Sequence, residues 1–152
     1  LVFNLNQLIL PLGFTQNIPD IMDKLKFQGQ YESDTDSIKV NLALFHFIEE
    51  KLHFIYCPNL DLTGYGNTKE EAITSFKESM TEFLKYTSNK KTLDKELKKL
   101  GWTVIQAKKK QPKRYDAPDL NKLLRDNDYL IDIVNTKDFS KSSSTIHLPA
   151  FA

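Results

Sequence analysis

The chain contains one cysteine, almost balanced charge and only short apolar runs. These scarcities argue against a disulfide-stabilised domain, a strongly basic nucleic-acid-binding protein and a membrane-spanning protein. Its single cysteine, Cys57, excludes an internal disulfide and favours a reducing compartment, the cytoplasm. Lys and Arg number 21 against 20 Asp and Glu, so the net charge of +1 gives no overall attraction to nucleic acid. No apolar run approaches the length of about 18 residues that a transmembrane helix needs. We therefore expect one domain of ordinary size, with or without an appendage, that does not enter a membrane.

Residues 37–57 show the two-residue period of β-strands. The first run alternates apolar residues with polar or small ones, Ile38, Val40, Leu42 and Leu44 against Lys39, Asn41 and Ala43, and continues through Phe45 to Ile48. The second run has two unlike faces, Leu52, Phe54 and Tyr56 against His53, Ile55 and Cys57. A short charged loop at 49–51 separates the two runs, and Pro58 removes a backbone donor directly after the second. The pattern predicts an antiparallel hairpin.

A polar loop and a long amphipathic helix follow the predicted hairpin. Gly64 and Gly66 are expected to supply the backbone freedom that tight turns require. Thr68 and Glu71 form a T-x-x-E capping box, whose loss should cost about 1 kcal/mol. A helix is predicted over residues 68–86 because the next apolar residues share one helical face: Ala72, Ile73, Phe76, Met80, Phe83 and Leu84.

The rest of the chain is expected to form short elements. They are a helix capped by Thr92 and stopped at Gly101, a strand at 102–106, a helix from Pro118 interrupted at Asn127-Asp128, a helix at 129–134, a loop at 140–144 and a strand at 145–148. Residues 1–21 are apolar and carry one charge. Two interpretations of them stay open: a strand or arm packed on the domain, or sequence upstream of a start at Met22.

Together these patterns predict an α+β fold. We expect an antiparallel sheet of at least three strands, with the long amphipathic helix and C-terminal elements covering one face. The predicted parts are an N-terminal arm or extra strand at 1–36, a core domain at 37–106, and a C-terminal extension packed on that core at 107–152.

The middle of the chain also carries an ordered set of short motifs. Tyr56-Cys57-Pro58-Asn59-Leu60 is followed by Gly66-Asn67-Thr68 and then by Glu70-Glu71-Ala72. This set resembles the HicB-like antitoxin family, which has a Tyr-x-x-Pro-acidic-Leu segment, a Gly-polar-Thr turn and a Glu-Glu-Ala helix start. The likeness covers residues 37–86. Asp61-Leu62-Thr63-Gly64 stands where the family has Pro-Gly-Cys, which indicates a divergent branch. The resemblance implies a partly degraded ribonuclease-H-like fold that masks a small toxin, a messenger-RNA-cleaving ribonuclease.

The residue types that carry catalysis do not form a convincing set. An active ribonuclease H needs several carboxylates around divalent metal, but the first predicted strand has no acid before Glu49. His46 and His53 could face each other across the hairpin and share a metal with Cys57, although two strand histidines are more often half-buried or surface residues. We therefore predict a protein that is not an enzyme, with no metal and no cofactor.

One strongly basic run offers a different function. Five cations fall within the seven residues from Lys108 to Arg114 and could grip phosphates, while the adjacent tyrosine could stack on a base. The candidate nucleic-acid contacts are Lys108, Lys109, Lys110, Lys113, Arg114 and Tyr115. The other interpretation is an exposed connector. The family resemblance also implies a C-terminal DNA-binding module, but the connection from Ala107 to Ala117 is too long for a compact ribbon-helix-helix, so DNA binding stays open.

The favoured prediction is a HicB-like antitoxin of a bacterial toxin–antitoxin system, which neutralises a small toxin ribonuclease by covering it. The candidate partner contacts are Asn59, Asp61 and Tyr65, with the exposed side of the 68–86 helix. Structural roles are assigned to Pro58, Gly64, Gly66, Thr68 and Glu71. Two alternatives remain: a nucleic-acid-binding protein that uses residues 108–115, and an orphan structural protein that forms homo-oligomers, since an edge strand invites self-association.

Overall fold

The computed structural model describes residues 37–151, so the interpretations of residues 1–21 and of an arm at 1–36 lie outside it. Its elements are β1 (Ser37–Glu49), β2 (Leu52–Cys57), β3 (Leu62–Gly66), α1 (Lys69–Asn89), α2 (Leu93–Lys99), β4 (Thr103–Ile105), β5 (Arg114–Asp116), α3 (Leu120–Asp126), α4 (Asp128–Thr136) and β6 (Phe139–Pro149). The fold is α+β, as predicted, with helices packed on a four-stranded antiparallel sheet. Within residues 37–151, no helix is long and apolar enough to cross a membrane.

The main sheet has the strand order β3-β2-β1-β6, and every neighbouring pair is antiparallel. β1 is central because its 13 residues pair with β2 at one end and with β6 along most of its length. The predicted hairpin of β1 and β2 turns through Glu50 and Lys51, whose φ angles are 48° and 67°. Positive φ at both positions is typical of the two-residue turn that matches the twist of a hairpin.

Alternating side chains give the sheet two apolar faces. The larger cluster joins one face to α1, α2, β4 and β5, and includes Leu42, Leu44, Ile55, Phe76, Met80, Leu97, Trp102 and Tyr115. The smaller cluster joins the other face to α3 and α4, and consists of Phe45, Phe47, Tyr56, Leu123, Leu130 and Ile133. Helices therefore cover both faces of the sheet, and the two C-terminal helices lie opposite α1, although the C-terminal elements were expected on the same face as that helix.

The start of α1 follows the predicted capping box with one change of partner. The Thr68 hydroxyl accepts a hydrogen bond from the Glu71 backbone N–H at 3.1 Å. The Glu71 carboxylate accepts from the backbone N–H of Asn67, one residue before the cap, at 2.6 Å. Both contacts satisfy donors at the helix entry, as the motif requires. The helix continues to Asn89, three residues beyond the predicted end at 86.

Gly64 and Gly66 serve close packing, and the expectation that they form turns is wrong. Both lie in β3, with their missing side chains directed at α1. A Cβ atom on Gly64 would lie 2.2 Å from the Phe76 backbone nitrogen, and one on Gly66 would lie 2.3 Å from the Glu71 Cβ. Neither glycine has a positive φ; within the described chain, the only glycine that does is Gly101, at +90°, directly after α2 as predicted.

The segment after α1 matches the predicted elements closely. α2 begins after Thr92, whose side chain makes no capping hydrogen bond, contrary to expectation. The strand expected at 102–106 is β4, and it pairs with β5 in a separate two-stranded sheet. The break expected at Asn127-Asp128 separates α3 from α4, where the Asn127 side chain accepts from the Leu130 backbone N–H at 2.9 Å.

Residues 140–144 belong to a strand, and the loop expected there is wrong. They form the first half of β6, which pairs with β1 from Phe139↔Phe47 to Pro149↔Ser37. Ser140, Lys141, Ser142 and Ser143 are exposed. These residues form a strand because their backbone groups hydrogen-bond to the backbone of β1. An edge strand held in this way does not need alternating apolar side chains. β6 is therefore an outer strand of the core sheet, although it lies in the segment predicted to be a C-terminal extension.

Candidate functional site

The loop between β2 and β3 is held in place by Asn59. Its side-chain carbonyl accepts from the Ala43 backbone N–H at 2.9 Å, and its amide donates to the Pro118 carbonyl at 3.1 Å. Its own backbone carbonyl accepts from Trp102 Nε1 at 2.7 Å. Asn59 is only 4% exposed. Predicted as a partner contact, it is instead a structural residue that ties the loop to three separate parts of the chain.

Asp61 is the exposed member of this loop and the predicted partner contact best placed for that role. Its φ of 51° turns the chain from the loop into β3. The buried Tyr56 hydroxyl donates to Asp61 Oδ1 at 2.8 Å and accepts from Asn127 Nδ2 at 2.8 Å. Burial raises the pKa of Tyr56 well above its usual value, so the phenol remains a donor at neutral pH. The carboxylate is therefore fixed relative to the junction of α3 and α4.

A cleft of about 460 Å³ opens between this loop and the α3–α4 junction, and we call it the Asp61 cleft. Its lining includes the exposed carboxylates of Asp61, Asp126 and Asp128, together with Lys99, Lys122 and Tyr129. The Lys122 ammonium donates to the Gly101 carbonyl at 3.1 Å, and Lys99 pairs with Glu96 at 3.0 Å. Both cations thus have other partners, whereas none of the three carboxylates forms an ion pair among the described residues.

Aromatic rings extend from the cleft across the same face of the sheet. Tyr129 is 42% exposed and meets Tyr56 edge-on, with ring centroids 4.8 Å apart. Burial, and then the nearby Glu49 carboxylate, raise the pKa of Tyr129. Tyr65, the third predicted partner contact, is half-buried in β3 and stacks on Phe54 with centroids 6.2 Å apart. Asp61 and Tyr65 therefore flank one surface, to which α4 contributes Tyr129.

The basic run divides into buried and exposed parts. Lys113 is 6% exposed and forms an ion pair with Asp94 at 2.9 Å, while the buried Tyr115 donates its hydroxyl to the Pro149 carbonyl at 2.8 Å. Neither side chain is placed to meet a nucleic acid, so the predicted stacking by Tyr115 is not supported. Arg114 is exposed and pairs with Asp116 at 2.9 Å.

Lys108, Lys109 and Lys110 are exposed like Arg114, and the three lie together on one turn. They form a turn closed by two backbone hydrogen bonds between Lys108 and Gln111, at 2.8 and 3.2 Å. Lys109 adopts a φ of 51° at the tip. Three adjacent ammonium groups on a short turn form a compact cationic surface.

The structure brings together two of the three residues considered for a metal. His46 Nε2 lies 2.9 Å from His53 Nδ1 across the hairpin, but Cys57 is fully buried beneath α1. Burial raises the pKa of Cys57 to about 12, so it is a thiol at neutral pH. Over residues 37–151, no group of three or more His, Cys, Asp or Glu side chains is arranged to hold a metal ion.

Several residues of the Asp61 cleft escaped the sequence analysis. Asp126, Asp128 and Tyr129 come from the α3–α4 junction, some 65 residues after Asp61 in the chain. The only local signal for these residues was the helix break predicted at Asn127-Asp128. That break indicates a bend in the chain, but it does not indicate that the bend lies opposite Asp61. Comparison with protein-family models, with curated proteins and with solved structures found no match to this chain.

Proposed function

We propose that this chain is a non-catalytic HicB-like antitoxin that binds a small toxin ribonuclease and covers its active surface. The proposal is supported by where the resemblance lies: residues 56–60, 66–68 and 70–72 come from separate elements but fold into one unit. In that unit β2 and β3 pair antiparallel, and α1 packs on them through Gly64 and Gly66. Asp61 projects from this unit into the Asp61 cleft.

The charge of the cleft fits such a partner. A ribonuclease must attract RNA phosphates, so its active surface carries Lys and Arg side chains. The lining carries the carboxylates of Asp61, Asp126 and Asp128 against the ammonium groups of Lys99 and Lys122, so the opening beside Tyr129 has an excess of negative charge. Complementary charge accelerates association and selects the partner, while a partly exposed tyrosine supplies contact area at low entropic cost. Covering the cationic surface would exclude RNA without any chemistry by this chain.

Co-expression with the product of the neighbouring reading frame tests this function. A small neighbour with a Gly-Ser-His motif, which the family resemblance implies for the toxin, should co-purify with this chain and lose its ribonuclease activity. Failure to associate with such a neighbour would refute the proposal.

A pair of double variants tests the surface separately. Asp126→Asn with Asp128→Asn removes two charges at the cleft with little change of shape. Glu70→Gln with Glu82→Gln removes two exposed charges from α1, which packs on the other face. Because the proposed contact surface is the cleft and not the exposed side of α1, the other surface that the sequence offered, we expect the first pair to slow association and to weaken its salt dependence, and the second pair to leave both unchanged. Equal effects from the two pairs would exclude the cleft as the contact surface.

The exposed lysine turn favours a second candidate function, binding to nucleic acid. Lys108, Lys109 and Lys110 would contribute a sequence-independent phosphate affinity that weakens steeply with salt. Replacing all three with Ala should abolish such binding. Absent or salt-independent binding by the unmodified chain would exclude this alternative.

A further inference from the structure

β6 is an outer strand of the main sheet, and the β1–β2 hairpin determines which of its backbone groups point outward. The two-residue turn of the hairpin places Glu49 and Leu52 in a hydrogen-bonded pair. Alternation along β1 then directs the backbone groups of its odd-numbered residues at β2 and those of its even-numbered residues at β6. Even numbers pair with even numbers in the β1–β6 register, so the odd-numbered residues of β6 direct their N–H and C=O groups away from the sheet.

Two hydrogen bonds agree with these directions. The Ala43 N–H, which points toward the β2 side, donates to the Asn59 side chain just beyond the end of β2, at 2.9 Å. The Pro149 carbonyl, which points outward from β6, accepts from the Tyr115 hydroxyl at 2.8 Å. β5 therefore covers the C-terminal end of the outer edge of β6.

The part of this edge between Lys141 and Thr145 is open. Within residues 37–151, the outward backbone groups of Lys141, Ser143 and Thr145 have no hydrogen-bond partner. Such an edge is a template for another strand, and proteins usually block it with several charges, with proline or with a covering element. β6 contains one Lys and no Asp, Glu or Arg, and its Pro149 lies beyond the open part. We therefore expect another segment to cover residues 141–145.

The other outer strand, β3, does not present a comparable edge. It has only five residues, and α1 packs closely on it because Gly64 and Gly66 lack side chains. The Ser79 hydroxyl of α1 also lies 3.5 Å from the outward Thr63 carbonyl. The edge of β6 is therefore the one that a further strand can reach.

A groove of about 310 Å³ lies beside the open edge, on the face of the sheet that α3 covers. Its lining joins Lys141 and Ser143 of β6 to three apolar side chains, Ala43, Leu120 and Leu123. Ser143 pairs with Ala43, which packs on the smaller cluster, so the odd-numbered side chains of β6 point to this face. An added strand would direct every second side chain toward the groove. The edge and the groove together fit a segment in which apolar and polar residues alternate.

We propose that residues 1–10 of this chain form a fifth strand on the outer edge of β6, with Phe3 and Leu5 directed toward the groove. Phe3 and Leu5 alternate with Asn4 and Asn6, and residues 1–10 contain no charged side chain. A second copy of β6 fits less well, because its Lys141 would meet the Lys141 that already lines the groove. The added strand closes the edge through which chains of this kind otherwise self-associate.

The connecting chain is long enough for this arrangement. Ser37 pairs with Pro149, so the chain enters β1 beside the C-terminal end of β6. From that end, Thr145 lies about 13 Å along the strand and Lys141 about 26 Å. Residues 11–36 connect the proposed strand to Ser37, and fifteen extended residues already span about 50 Å. A tether of this length also keeps the local concentration of the segment high.

Amide hydrogen exchange of the full-length chain, followed by NMR, tests the pairing residue by residue. The Ser142 and Ser144 amides point toward β1 and serve as internal controls, because they should exchange slowly whether or not the edge is covered. We expect the Ser143 and Thr145 amides to exchange at least about tenfold more slowly than unprotected amides, as paired strand amides do. Unprotected exchange at Ser143 and Thr145 would overturn the proposal.

Proline variants of the full-length chain identify the covering segment. Leu5→Pro with Leu8→Pro removes two backbone donors and leaves no stretch of five uninterrupted residues in the proposed strand, so exchange at Ser143 and Thr145 should accelerate at least about tenfold. Ser142 and Ser144 should remain slow.

Gln16→Pro is the matched control, because together with Pro19 it also places two prolines three residues apart, but outside the proposed strand. It should leave exchange at all four amides unchanged. Slow exchange that persists in the double variant would exclude residues 1–10 as the covering strand. Slow exchange that disappears on dilution would instead indicate pairing with a second copy, and it would also overturn the proposal.

Discussion

Gly64→Ala should be among the most destabilising small substitutions in this protein. The added Cβ would lie 2.2 Å from the Phe76 nitrogen, 2.5 Å from the Ala72 carbonyl oxygen and 2.6 Å from the Phe76 Cα. All three atoms belong to the α1 backbone, so no side chain can rotate away. To reach the shortest ordinary contact of 3.4 Å, the helix must move by about 1.2 Å from the sheet. Overpacking costs about 1–3 kcal/mol and sometimes more, and we expect a loss of about 3 kcal/mol.

Urea unfolding measures this loss directly. Trp102 is the only tryptophan of the chain and is 3% exposed, so its fluorescence reports on the larger cluster. We expect a lower midpoint with an unchanged slope, as for a change in stability alone. Gly101→Ala is the control: its Cβ meets nothing closer than 3.5 Å, and only the φ of +90° is strained, at about 1–2 kcal/mol. A smaller effect at Gly64 than at Gly101 would refute the packing explanation.

Four further substitutions separate contacts that the structure distinguishes. Asn59→Ala leaves buried backbone groups unpaired and should lower the free energy of unfolding by about 3 kcal/mol, whereas a loss below about 1 kcal/mol would contradict its bridging role. Thr68→Ala should cost about 1 kcal/mol and Thr92→Ala only a few tenths, because only the first hydroxyl caps its helix; equal costs would contradict this distinction. Burial alone would raise the pKa of the Asp94 carboxyl group, but hydrogen bonds, including one from Lys113, hold this pKa below its usual value. The ionised Asp94 therefore stabilises the fold above its unfolded-state pKa, and this contribution is lost as pH falls through the folded-state pKa. Asp94→Asn should destabilise the protein at neutral pH, and its unfolding midpoint should approach that of the unmodified chain at acidic pH.

The sequence predicted the elements whose signals are local. β1 and β2 follow from a two-residue alternation, because their side chains are divided between two covered faces. The start of α1 follows from Thr68 and Glu71, which act within four residues of each other. The break between α3 and α4 follows from Asn127, which accepts from a backbone donor three residues later. Each of these patterns is complete within one short stretch of chain.

The elements that the sequence did not predict depend on distant partners. Ser140–Ser144 forms a strand because β1 offers its backbone, and nothing in the serine-rich stretch itself records that partner. Gly64 and Gly66 lack side chains because α1 passes close by, yet the sequence offered only the general association of glycine with turns. The Asp61 cleft likewise joins two segments far apart in the chain. Tertiary contacts decide all three features.

The residues that resemble the antitoxin family have structural uses in this fold. Pro58 ends β2, Asn59 ties the loop to β1 and Trp102, and Thr68 caps α1. Any chain that builds the same hairpin, loop and helix would benefit from these residues, whatever it binds. Under the proposed function, this chain would differ from another protein of the same shape in its exposed surface, above all in Asp61 and the acids that face it from the α3–α4 junction. Removing the Asp126 and Asp128 charges should then weaken binding of the proposed partner without touching the residues that carry the resemblance, so the cleft variants test the function independently of the fold.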